Sequence, residues 1–146
     1  MTALFEHSPW VEQRADAAPA SGDRHADLMA VVRAATAEEQ LALIRAHPEL
    51  AGKAAVDRTL TEASAAEQAS AGLDRLTEKE FARFHQLNAA YRARFDFPFI
   101  ICVRLTDKAG ILAAMERRLA NTREEEIAKA IEQIGEIVRL RLEAPQ

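Results

Sequence analysis

The sequence predicts an all-α protein, one domain of about six to eight short helices, and two observations carry that prediction. Alanine supplies much of the 49% hydrophobic content while aromatics make up only 5%, a balance that favours close helix packing over a sheet. Helix-start signals also recur along the whole chain, each followed by apolar residues at i, i+3 and i+4 spacing. With 146 residues, the chain has the length of a single domain, 1–146, able to bury a core of its own.

The elements can be taken in order. Ser8 and Pro9 read as an N-cap followed by proline at the first helical position, opening a helix that runs to about Ala17. The stretch from Ala18 to Gly22 is a loop. Leu28, Val31, Val32 and Ala35 then form one face of a second helix. Thr36 and Glu39 have capping-box spacing and start a short helix carrying Leu41 and Ile44. It is expected to end at His47, because Pro48 disfavours helical geometry in the residue before it. Glu49 to Leu60 contains Gly52 and no apolar period, and reads as a loop or turn.

Ser64 and Glu67 form a second capping-box pattern, opening a helix that Gly72 shortens. Thr77 and Glu80 form a third, followed by Phe81, Phe84, Asn88, Tyr91 and Phe95 on one side of a long helix. Phe97 to Val103 is apolar and broken by Pro98, which predicts a buried extended segment rather than a sheet. Ile111, Leu112, Met115 and Leu119 mark another helix. Thr122 and Glu125 cap the last, which carries Ile127, Ile131, Ile134 and Val138. Short, irregularly spaced helices argue against a plain four-helix bundle.

Composition narrows the function. The net charge of −4 comes with scattered Lys and Arg, so no basic stripe suggests a nucleic-acid partner. No apolar run approaches the roughly 20 residues that span a bilayer. A single cysteine, Cys102, excludes an internal disulfide framework and suits a reducing compartment. The opening MTALFEHSPW lacks the charged end and apolar block of a signal peptide, and the closing EAPQ lacks a Ser-Lys-Leu address, so a cytoplasmic protein is expected. There is no Gly-rich phosphate loop, Glu-x-x-His pattern or His-Glu-x-x-His. His7, His25, His47 and His85 are not spaced as metal ligands, so no metal site is expected.

Two features remain that could carry chemistry, and each has a plain alternative. His47 sits at a helix exit stiffened by Pro48, where an imidazole could exchange protons near neutral pH. A histidine there is equally favoured by the helix dipole alone. Ser64 to Gln68 could be a capping box, or a helix start whose N–H groups hold an anion. The aromatic stripe reads as core, Cys102 as a packed thiol, and Arg139 and Arg141 as cations near a helix C-terminus.

Four segments taken together are far more specific: FEHSPWVEQRA (Phe5–Ala15), HPELAGKAA (His47–Ala55), LTEASAAEQASAGLDRL (Leu60–Leu76) and FHQLNAAYRARFDFPFIICVR (Phe84–Arg104). In this order and at compact spacing they resemble the 2-oxo-4-hydroxy-4-carboxy-5-ureidoimidazoline (OHCU) decarboxylases, and the ending Asn121–Leu142 fits that family's last helix. The resemblance implies a cofactor-free, homodimeric enzyme that completes the conversion of urate to (S)-allantoin. It implies that His47 is the acid/base with Pro48 beside the substrate, and that Ser64, Glu67 and Gln68 line the pocket. Phe99, Ile100, Ile101, Cys102 and Val103 would give apolar and backbone contacts, and Arg141 would reach the site, although Arg139 lies close by. On this reading Glu67 partners His47, while Arg141 neutralises the substrate's carboxylate.

Two departures from the family pattern stand out. Most of a further helix that commonly precedes the FEHSPW segment is missing, which touches the outer wall of the pocket. Asp96 stands where a Gly is usual, a position Asp tolerates in left-handed backbone better than most residues. The rival expectation is a helical interaction module descended from the family without its activity. Retention of His47, Glu67 and Gln68 favours the enzyme.

Overall fold

The computed structural model describes residues 4–50 and 60–143. Among these residues the chain forms seven α-helices and no strand: α1 (Trp10–Ala17), α2 (Arg24–Ala34), α3 (Ala37–Arg45), α4 (Glu62–Ser70), α5 (Glu78–Phe95), α6 (Lys108–Arg118) and α7 (Arg123–Glu143). A single 3₁₀ turn, Val103–Leu105, lies between α5 and α6.

Local chemistry sets most helix starts. Asp23, Thr36, Thr61, Thr77, Asp107 and Thr122 each accept a hydrogen bond from the backbone N–H three residues on, at 2.8 to 3.2 Å. At Thr36, Thr77 and Thr122 the glutamate three residues later closes the box onto the cap N–H, as the spacing predicts.

Three helix ends depart from expectation. The Ser8 hydroxyl does not cap α1; it donates to the Glu6 carbonyl at 2.9 Å, because the chain turns back there with His7 in left-handed backbone (φ 48°). The third helix ends at Arg45, with Ala46 as C-cap, so the influence of Pro48 extends two residues further upstream than predicted. The fourth starts at Thr61 rather than Ser64, since the Thr61 hydroxyl is free to accept the Ser64 N–H. The Ser64/Glu67 pair is therefore no capping box.

The long helices bury what their periodicity predicts, with one exception. Phe84, Asn88, Tyr91 and Phe95 of α5 are buried, but Phe81 is 41% exposed, because it lies in the first turn, at the edge of the core. Tyr91 packs edge-on to Phe99, with ring centroids 5.2 Å apart, and against Phe95 and Phe97. This aromatic group seats the segment after α5 against the core. The segment is extended only as far as Cys102; Val103, expected to continue it, enters the 3₁₀ turn because the Leu105 N–H bonds back to the Cys102 carbonyl.

α7 packs against both α2 and α3, α1 packs on α2, and α5 on α6. Gly135 permits the α2–α7 contact, since a Cβ there would lie 3.2 Å from the Met29 methyl. His25 on α2 bonds to the Gly135 carbonyl at 2.8 Å, fixing the same crossing.

Candidate active site

Between the end of α3, one face of α4, the 99–104 segment and the last turns of α7 lies a partly open cavity of about 440 Å³.

His47 enters from the α3 exit and is 7% exposed. The segment after it is pinned to α5: Asn88 donates to the Leu50 carbonyl at 2.8 Å and Arg92 pairs with Glu49 at 2.6 Å. The His47 Nδ1 faces the Leu43 carbonyl at 2.9 Å. A carbonyl only accepts, so Nδ1 carries the proton and Nε2 holds a lone pair. Nε2 is buried and makes no hydrogen bond. Burial pulls the imidazole pKa down to about 4, helped by the positive charge of Arg141 and opposed by the Leu43 bond and by Glu6. At neutral pH His47 is thus an uncharged base with one unpartnered nitrogen.

α4 presents Ser64, Glu67 and Gln68, at i, i+3 and i+4, on its cavity face. Starting the helix at Thr61 instead of Ser64 places these three within the helix rather than at its mouth. Ser64 Oγ donates to Glu6 Oε1 at 2.6 Å, and Thr61 donates to the same oxygen at 3.0 Å.

Arg141 supplies the cation. Its Nε and Nη2 grip Glu67 at 2.9 and 2.8 Å, Nη2 also reaches Glu6 at 2.8 Å, and Nη1 donates to the Leu4 carbonyl at 3.3 Å. Two carboxylates thus share one buried guanidinium. Burial pushes the Glu6 carboxyl up, but Ser64 and Arg141 together hold it below the ordinary value. Arg139 pairs instead with Glu136 at 2.7 Å and does not line the cavity.

The apolar wall is Phe99 to Val103. Arg118, buried beneath it, donates to the Ile100 carbonyl at 2.8 Å, lies 4.3 Å from the centre of the Phe99 ring and pairs with Glu126 at 2.8 Å. Gln133 on α7 accepts the Cys102 N–H at 2.9 Å. Burial pushes the Cys102 thiol up, consistent with a packed group.

The structure brings His47, Pro48, Ser64, Glu67, Gln68, Phe99, Ile100, Ile101, Cys102, Val103 and Arg141 to one cavity. Sequence reasoning missed Leu50, Arg104 and Ile137, which also line it, and Glu6 behind it. Glu6 is 1% exposed. The only signal for it was its place inside the FEHSPW segment, which marks the segment without giving the residue a role. Among the described residues no group of three or more His, Cys, Asp or Glu could hold a metal ion, and no helix is long and apolar enough to cross a membrane.

A buried neutral imidazole, a guanidinium-held carboxylate and an apolar wall around one cavity of an all-helical fold have the makeup of a small-molecule enzyme site. Comparison with known proteins makes the class specific: the chain belongs to the OHCU decarboxylase family, whose model matches residues 1–143. It is 41% identical to the OHCU decarboxylase of Haloferax volcanii over 143 residues, 95% of this chain and 82% of that protein. It is 40% identical to the uric acid degradation bifunctional protein PucL of Bacillus subtilis, of which it spans 28%. Its fold matches the crystal structure of an (S)-allantoin synthase with a TM-score of 0.69 at 31% identity, covering 96% of this chain and 46% of that one.

Proposed function

We propose that the protein decarboxylates OHCU to (S)-allantoin in urate degradation, with His47 as the base that starts the reaction. One observation carries the role of His47: its Nε2 is a buried lone pair without a partner on the cavity, on a ring whose other nitrogen is locked by Leu43.

The substrate bears a carboxylate and a hydroxyl on one carbon, next to an unsaturated ring carbon. When the bond to CO₂ breaks, its electron pair passes into the ring, so no cofactor is chemically required. Three proton movements remain. Nε2 takes the hydroxyl proton, the imidazolium so formed returns it to one face of the planar intermediate, and a further proton from solvent neutralises the ring nitrogen that received the electron pair, so that the anionic substrate gives CO₂ and a neutral product. The low pKa leaves His47 unprotonated at rest and makes the charged ring a ready donor in the return step, while it makes the first transfer the harder one.

Glu67, fixed by Arg141, orients the hydroxyl and offsets the charge that develops on His47. Ser64 and Gln68 bind ureido and ring groups, Pro48 flanks the ring, and the wall from Phe99 to Val103 selects the face that is protonated. Because its donors meet Glu67 and Glu6, Arg141 acts by positioning Glu67, a different role from the carboxylate neutralisation first expected of it. On this reading the protein works as a cytoplasmic homodimer.

The test generates the labile substrate from urate and follows allantoin by circular dichroism. Wild type should give the (S) enantiomer well above the spontaneous rate, and His47→Ala should lose on the order of 10²- to 10⁴-fold in kcat. Slow, racemic product from wild type would instead favour the non-catalytic interaction module.

A further inference from the structure

Every described charge around the cavity has a protein partner except one. Glu67 and Glu6 share Arg141. Arg104, the other cation lining the cavity, is solvent-exposed and has neither an ion pair nor a side-chain hydrogen bond among the described residues. It follows directly on the apolar wall, in the 3₁₀ turn that packs on α4.

We propose, resting on the decarboxylase reading above, that Arg104 is the docking cation for the substrate's departing carboxylate. An anionic substrate has two ways to sit in this cavity. With its carboxylate turned inward it meets two carboxylates that already share one guanidinium, and repulsion across a buried, low-dielectric layer is costly. Turned towards Arg104, the carboxylate is attracted by an unpaired cation while the hydroxyl-bearing carbon faces the buried His47. The second orientation places CO₂ at the exposed side of the cavity, where it can leave.

The exposure of Arg104 has a kinetic reason. In the transition state negative charge leaves the carboxylate for the ring, so a tight, dry ion pair with that carboxylate would stabilise the ground state more than the transition state. A solvated arginine attracts the anion and orients it, yet holds it weakly because water and salt screen the pair.

The product has lost the carboxylate and is neutral, and this difference provides the test. Arg104→Gln and Arg104→Lys are compared with wild type in steady-state kinetics at several ionic strengths, with (S)-allantoin as a competitive inhibitor. For Arg104→Gln, KM should rise about 2- to 5-fold with little change in kcat, and the fall of kcat/KM with salt expected of wild type should flatten. Inhibition by allantoin should stay as in wild type, and Arg104→Lys should restore most of the KM. An unchanged KM and salt slope in Arg104→Gln would overturn the assignment. So would a parallel weakening of substrate and allantoin, which would show that Arg104 shapes the cavity rather than reading the carboxylate. Wild type without enantioselective product would overturn the decarboxylase reading and this proposal with it.

Discussion

Arg141 and Glu67, 74 positions apart in the chain, meet in a two-pronged ion pair, Nε to Oε2 at 2.9 Å and Nη2 to Oε1 at 2.8 Å. The same Nη2 holds Glu6 at 2.8 Å. The last helix, the fourth helix and the N-terminal turn are therefore joined at one buried guanidinium.

Removing that guanidinium should damage fold and activity together. Arg141→Met leaves the buried Glu6 and the partly buried Glu67 facing each other without their cation, and breaking a buried pair costs about 3–5 kcal/mol. Arg141→Lys keeps the charge but not the planar fork, so it should recover much of the stability and little of the kcat. Urea denaturation beside steady-state kinetics reads both, and full activity in Arg141→Lys would show that Glu67 needs no orienting.

The pH profile should lack the limb of an ordinary histidine. With the His47 pKa near 4 and the neutral ring as the reactive form, kcat/KM should hold level from pH 8 down to about 5 and fall as pH approaches 4. A limb centred between pH 6 and 7 would mean that the ring is solvated in the working enzyme.

Stability carries the same signature. The folded pKa of His47, about 4, lies below its ordinary 6.5, so between these values the unfolded chain binds the extra proton. His47 therefore contributes fully above pH 6.5, and its contribution declines as pH falls towards 4, by about 3 kcal/mol in all at 1.36 kcal/mol per pKa unit. Glu6, held low by Ser64 and Arg141, adds a loss in the same direction at the acid end. Chemical denaturation of wild type and His47→Asn across pH 4 to 8 separates the two, because only the histidine part disappears in the variant.

The wall beneath the substrate depends on Arg118 and Glu126, which are 3% and 0% exposed at the side chain. Tyr91 and Asn121 also bond to Glu126. Glu126→Gln should lower stability by a few kcal/mol, since a charge-assisted bond to Arg118 becomes a neutral one while the guanidinium stays buried. By loosening the Ile100 carbonyl, Arg118→Lys should reduce the enantiomeric excess of the product. Thermal melts and circular dichroism of the allantoin formed check each in turn.

Asp96 ends the fifth helix in left-handed backbone, φ 62° and ψ 31°, as its place in the family pattern predicts. Its pair with Arg45 is exposed and contributes little. Asp96→Gly should therefore change stability by no more than about 1 kcal/mol, whereas Asp96→Val, β-branched at positive φ, should cost about 1–2 kcal/mol. Equal melting temperatures for the two variants would contradict this.

The sequence by itself determined the helical class, the capping threonines at 36, 77 and 122 and the core faces of the long helices apart from Phe81, all of them local or periodic properties: a cap needs its own third neighbour, and an amphipathic face needs only spacing. Most of the cavity residues were named by the resemblance of four segments to a family, which gave no role to Leu50, Arg104 or Ile137. The tertiary structure alone decided which partners those residues meet. Capping propensity does not distinguish Thr61 from Ser64, yet that choice puts Ser64 against Glu6, 58 positions away. The spacing of Arg139 and Arg141 does not reveal which one turns inward; that follows from how α7 lies on its neighbours. His47 is the clearest case. The chain places it at a helix exit, where the dipole would favour its charged form, but burial removes the water that a charged ring needs and leaves it neutral, with one lone pair on the cavity.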